Sequence, residues 1–169
     1  MAADPPDDPL PRLPNRTTFL LSKLGQGTGR LFSEAMAPLG LRPPQFGVLN
    51  ILDRFEGASQ QAIGERLGID PSSMVGVIDD CEAAGLAERR RDPADRRRHA
   101  VYLTPKGREK LTAARTAAAR LQDEVLAPLG ADERATLLEL LERLAAEGPL
   151  HGCIPMARPP AEAPAAAAG

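Results

Sequence analysis

Tryptophan is absent, tyrosine occurs once, and aromatic residues make up 3% of the 169-residue chain. Alanine and leucine prevail among its apolar residues. That bias favours helix and argues against a β-sandwich, in a chain long enough for one domain with a real core. No run approaches the ~20 apolar residues that a membrane span requires. The N-terminus, MAADPPDDPLP, lacks the basic and apolar stretches of a signal peptide. A cytoplasmic protein with no membrane association is therefore expected. Two cysteines, Cys81 and Cys153, do not make a disulfide framework, and neither has a CxxC or Cys/His partner at metal-ligand spacing. Histidine is equally scarce: His99 adjoins an arginine run and His151 lies near the C-terminus. No Ser-His-Asp order, acid pair or metal triad can be assembled from this inventory. The expectation is no catalytic residue, no metal, no cofactor and no enzymatic activity. Gly25, Gly27 and Gly29 invite a phosphate-loop reading, but no Gly-Lys-Ser/Thr follows and no strand precedes them. Close approach of another backbone, or room for a ligand, accounts for them better.

What is present concentrates in residues 70–104, DPSSMVGVIDDCEAAGLAERRRDPADRRRHAVYLT. Asp70 suits an N-cap, Pro71 the first helical position, and Gly85 the left-handed stop. Val75, Ile78 and Cys81, with Met74 beside them, predict an apolar stripe, on which Cys81 is a small buried hydrophobe. Two extended runs, 86–90 and 99–103, flank the turn-prone Asp92-Pro93-Ala94-Asp95. A further short helix at 59–67, capped by Ser59, precedes this stretch, with Ala62, Ile63 and Leu67 inward and Gly68-Ile69 turning the chain. Two short helices about a glycine turn read as a helix-turn-helix, and the arginine hairpin after it as a wing. From Glu88 to His99 there are six arginines against three acids, on a chain of net charge −2. So uneven a charge is aimed at a polyanionic surface, DNA before others.

The remaining segments frame that unit. Residues 1–14 and 149–169 are proline- and alanine-rich and too poor in apolar residues to fold, so disordered tails are expected. Between them, residues 16–36 carry Leu20, Leu24, Leu31 and Phe32 at helical spacing. Pro43-Pro44 opens a buried helix with Phe46, Val48, Leu49, Ile51 and Leu52. Glu56-Gly57-Ala58 offers a very short strand beside the wing. Residues 105–127 repeat Leu111, Ala114, Ala118, Leu121 and Val125 as a packing seam. After a break at Pro128-Leu129-Gly130, Asp132 caps a last helix with a stripe of Leu137, Leu140, Leu141 and Leu144, Leu138 beside it.

The segments LRPPQFGVLNIL (41–52), QQAIGERLGIDPSSM (60–74) and EAAGLAERRRDPADRRRHAVYLTPKG (82–107), with the closing leucine-rich helix, resemble the MarR family of winged helix-turn-helix transcriptional regulators. The resemblance spans about residues 16–147, and its most specific part is Asp95-x-Arg97 followed by Leu103-Thr104. It implies a mainly α fold with a small β-hairpin wing over residues 15–148. The DNA-binding lobe would lie at about 43–104. Dimerisation helices at about 16–36 and 105–147 would build an obligate-type two-fold homodimer. It also implies a double-stranded DNA partner, a pseudo-palindromic operator, repression, and relief by a small-molecule effector. Peroxide-sensing members carry their reactive cysteine in the first helix, where this chain has none.

Transferred to this sequence, the resemblance puts Ser72, Ser73, Val75 and Gly76 at the exposed start of the recognition helix. That helix has no Lys or Arg between Asp70 and Ala84, so an Arg–guanine pair cannot come from it. Serine hydroxyls and contact with thymine methyls would carry readout, and Asp79 and Asp80 must turn from the phosphates. Arg97 matches the wing arginine that enters the minor groove, and Asp95 the aspartate that holds it. Arg96, Arg98, Arg89, Arg90, Arg91, Gln60 and Gln61 would reach phosphates. The competing expectation is a helical dimer acting through protein–protein contacts, its DNA-binding unit degraded by the acidic helix.

Overall fold

The computed structural model describes residues 16–91 and 99–150. In chain order these form α1 (Arg16–Met36), a 3-10 turn (Ala37–Leu39), α2 (Pro43–Arg54), α3 (Gln60–Leu67), α4 (Pro71–Ala83), β1 (Ala87–Arg91), β2 (His99–Leu103), α5 (Pro105–Val125), α6 (Ala131–Ala146) and a 3-10 turn (Gly148–Leu150). The expected fold, mainly helical with one hairpin, is present. The calls on residues 1–14, Asp95, Arg96, Arg97, Arg98 and most of 149–169 lie outside the described residues. Among the described residues, no helix is long and apolar enough to cross a membrane.

Local chemistry sets the boundaries. Ser59 Oγ accepts from the Ala62 N–H at 3.2 Å, Asp70 Oδ1 from Ser73 N–H at 3.0 Å, and Thr104 Oγ1 from Gly107 N–H at 2.9 Å. Each side chain satisfies an N–H that the first helical turn leaves unpaired. Between α3 and α4, Gly68 takes φ +63°, a left-handed conformation open to a residue without Cβ. Strands β1 and β2 pair antiparallel, with Ala87 opposite Leu103 and Arg91 opposite His99. Val101 also donates to the Ala58 carbonyl at 2.9 Å, so the very short strand expected at Glu56-Gly57-Ala58 is reduced to a single bridge beside a two-stranded sheet.

Two apolar clusters form the core. Val48, Leu52, Ala58, Ile63, Met74, Ile78, Cys81, Ala87 and Val101 join α2, α3, α4 and the hairpin. Met36, Leu41, Leu49, Leu86, Leu111 and Ala114 join α1, α2 and α5, with Phe32 edge-on to Phe46 at 5.3 Å. Asp53 of α2 ties the clusters' helices further, accepting from Arg108 at 2.5 Å and Arg115 at 2.8 Å. Neither cluster contains a residue of α6, whose one buried residue is Ala145.

Several expectations need correction. Val75 lies off the α4 stripe, because Met74, Ile78 and Cys81 already fill the inward face at helical spacing. Helix α6 is capped at Gly130, whose N–H donates to Glu133 Oε2 at 2.8 Å, so Asp132 sits inside the helix. Helix α5 ends at Val125, and β1 runs from Ala87 to Arg91, one residue later than expected. Among the described residues, no backbone outside α1 lies within 4 Å of where a Cβ at Gly25, Gly27 or Gly29 would stand.

Gly107 is where two backbones do meet, since a Cβ there would stand 2.0 Å from the Leu86 carbonyl oxygen. Gly107→Ala gains about 1 kcal/mol of helix propensity but forces α5 off the hairpin. A net destabilisation of about 2 kcal/mol is expected, read as a lower denaturant midpoint.

Candidate nucleic-acid interface

The α4 face opposite the core is built by periodicity alone. With Met74, Ile78 and Cys81 turned inward, Ser72, Ser73, Val75 and Gly76 are all exposed near the helix start. Ser72 Oγ donates to Asp70 Oδ1 at 2.5 Å, which leaves its lone pairs for an incoming donor. Hydrogen bonds from Ser72 and then Ser73 hold the Asp70 carboxyl well below the usual carboxylate range. The N-cap thus stays ionised through the neutral range. At Gly76 an added Cβ would meet nothing within 4 Å, so the helix surface is open to a close approach. The sequence-predicted readout residues do come together on one surface.

The acids of α4 are not left bare. Asp79 accepts from Arg89 Nη1 at 2.7 Å, Glu82 pairs with the same nitrogen, and Asp80 pairs with Arg42. Arg89 is further bound by Gln60, whose Oε1 accepts from Nη2 at 3.0 Å. Burial disfavours its charge, yet hydrogen bonds and the charges of Asp79 and Glu82 outweigh that and raise its pKa. Sequence reading placed Arg89 and Gln60 at phosphates and did not single out Arg42 or Glu82. The available signal was the pattern itself: an acidic helix without arginine, followed at once by an arginine strand.

Arg90 and Arg91 are exposed at the far end of β1, as the wing reading requires. Arg90 pairs with Glu88 and lies over the Tyr102 ring at 5.1 Å. Gln61 is exposed and donates to Glu65 at 2.9 Å. Arg66 and Arg54, not singled out in the sequence, stack on Phe55 at 4.6 and 5.5 Å and add positive charge between α2 and α3. An open, mainly apolar groove between α1 and α5 is lined by Gly25, Gly29, Phe32, Leu121 and Val125. Among the described residues, no group of three His, Cys, Asp or Glu is placed to hold a metal.

Cys81 is fully buried, and burial followed by the charge of Asp80 pushes its thiol up to about 12. The reactive form is the thiolate. In a Cys153→Ser background, Cys81 is therefore expected to resist a thiol reagent at neutral pH until the protein is denatured. Native labelling as fast as unfolded labelling would overturn this.

The family model described as MarR family matches residues 39–98, from the end of the first 3-10 turn to the residue before β2. A regulatory protein named for the hcr operon of Thauera aromatica is 36% identical over 62% of this chain. The match covers 63% of that relative, so the chain spans less than two thirds of its length. The transcriptional repressor CouR, solved bound to a 23-mer DNA duplex, is 37% identical with a TM-score of 0.71, covering 76% of this chain and 91% of that one. CouR solved with p-coumaroyl-CoA is 35% identical with a TM-score of 0.69, over 78% and 92%.

Proposed function

The chain belongs to the MarR family, and from that premise we propose that it is a sequence-specific DNA-binding transcriptional regulator, a homodimer repressing a pseudo-palindromic operator until a small molecule releases it. The observation that carries this is the exposed start of α4, with Ser72, Ser73, Val75 and Gly76 side by side, on a helix whose last turns are tied to an arginine-bearing strand. Serine lone pairs can accept from base amino groups, and Val75 can meet a thymine methyl. Arg90 and Arg91, with Arg96, Arg97 and Arg98 of the wing turn, supply the phosphate and minor-groove contacts in this reading, with Asp95 holding Arg97. Two such helices related by a two-fold axis would face major grooves about one turn apart. The DNA-bound CouR supports the partner, and its ligand-bound counterpart supports effector control. The α1–α5 groove is the site we assign to an effector or to the second subunit. The protein acts by binding, not catalysis.

The competing reading, a protein-interaction dimer with a degraded DNA unit, drew on the acids of α4. Their pairing with Arg42 and Arg89 removes most of that support. The deciding experiment is titration of the protein's own upstream region against unrelated DNA across a salt series. Neutralising ~8 phosphates per dimer gives a slope of log K on log salt near −7. Preference for the upstream fragment with that slope is the expected result, and weak binding indifferent to sequence would overturn the proposal. Arg97→Ala is expected to weaken binding by about 1–3 kcal/mol. Unchanged affinity would remove the minor-groove assignment.

A further inference from the structure

Strand β1 alternates, so Glu88 and Arg90 share one face with Tyr102 while Arg89 turns the other way, toward α4. The Arg89 side chain is 25% exposed, against 59% for Arg90. Its guanidinium reaches two helices at once: Asp79 and Glu82 on α4, and Gln60 at the start of α3. Glu82 also accepts from the Arg89 backbone N–H at 2.6 Å, which fastens the last turn of α4 to the wing's main chain. Both terminal nitrogens of the Arg89 fork are thus already engaged inside the lobe and are not presented to a phosphate.

We infer that Arg89 is a positioning residue that fixes the wing against the recognition helix and orients Gln60, and that it makes no phosphate contact itself. The inference rests on the DNA-binding reading and refines it. Arg89 is bound to the Gln60 oxygen, so the Gln60 amide nitrogen, with its two donors, is directed away from the cluster. Gln60 is thereby set to donate to the backbone of a duplex, and Arg89 acts through it. The planar fork of arginine is needed to reach three acceptors, and a lysine ammonium cannot span them.

The charges make the test sharp. Asp79→Asn removes an acid beside a polyanion. If Arg89 bound a phosphate, the substitution would free it and tighten operator binding. If Arg89 is a clamp, Asp79→Asn loosens it, and operator affinity should fall several-fold. Asp79 is itself exposed, so this variant keeps the core intact. Arg89→Ala and Arg89→Lys should both lose about tenfold in operator affinity, with the salt slope unchanged. A lost phosphate contact would instead flatten the slope by about 1.8 per dimer, and lysine would restore it. A measurement without DNA separates this inference from the reading beneath it. Arg89→Ala should speed amide exchange across Ala87–Arg91 and leave α5 protected. Tighter binding of Asp79→Asn, a flattened slope, rescue by lysine, or unaltered exchange in β1 would each overturn the clamp. Failure of the unsubstituted protein to select its upstream fragment would overturn the regulator reading instead.

Discussion

Replacing Leu138 and Leu141 by glutamate is expected to yield a folded monomer that binds the operator at least about 100-fold more weakly, because a monomer engages one half-site and forfeits the tethered second contact. The two residues are three apart on α6, within a face that also carries Leu140 and Leu144, and their exposures in the single chain are 57% and 41%. A leucine fully buried contributes about 1.5–3 kcal/mol, and two subunits supply two such faces. Carboxylates at the same positions would have to be desolvated without partners, which blocks association. Glutamate is a good helix former, so α6 itself should persist. Sedimentation gives the oligomeric state, circular dichroism the helix content, and operator titration the affinity. A dimer with undiminished operator affinity would show that α6 does not carry the assembly.

The leucine stripe, the caps of α3, α4 and α5 and the hairpin were legible because each is written locally, whereas the cap of α6 fell at Gly130 and not at Asp132. Ser59, Asp70 and Thr104 announce helix starts through their own backbone chemistry, and Gly68 and Gly85 announce stops. The exposed face of α4 could likewise be read from which residues its core face consumes. Contacts between distant residues were not legible. Nothing near Asp80 indicates that Arg42, 38 residues earlier, neutralises it. Nothing in QQAIGERL indicates that Gln60 meets Arg89, 29 residues later. Val75 was read two ways, as stripe and as readout residue, because three- and four-residue spacings both fit until packing selects one. The structure selects the exposed position. Arginine counting therefore overstates the charge offered to DNA, since part of it is spent inside the lobe on α4's own acids.

The opposite faces of α4 separate scaffold from readout, and a pair of substitutions should show it. Ile78 is fully buried in the cluster shared by α2, α3, α4 and the hairpin. Ile78→Ala leaves a cavity there and is expected to lower stability by about 2–5 kcal/mol, a large share of the roughly 5–15 kcal/mol that holds a domain together. The second cluster, centred on Met36, Leu49 and Leu111, does not include Ile78, so α1 and α5 should keep their packing. The DNA-binding lobe would then open first, and operator affinity would fall with it while the dimer persists. Val75 sits three residues earlier and 42% exposed. Val75→Ala should change stability by no more than about 0.5 kcal/mol, yet lower the preference for operator over unrelated DNA if its methyls meet a thymine. Denaturant unfolding and operator titration on both variants resolve the contrast. Equal stability losses at the two positions would mean that α4 buries Val75 as well, and that the readout face lies elsewhere on the helix.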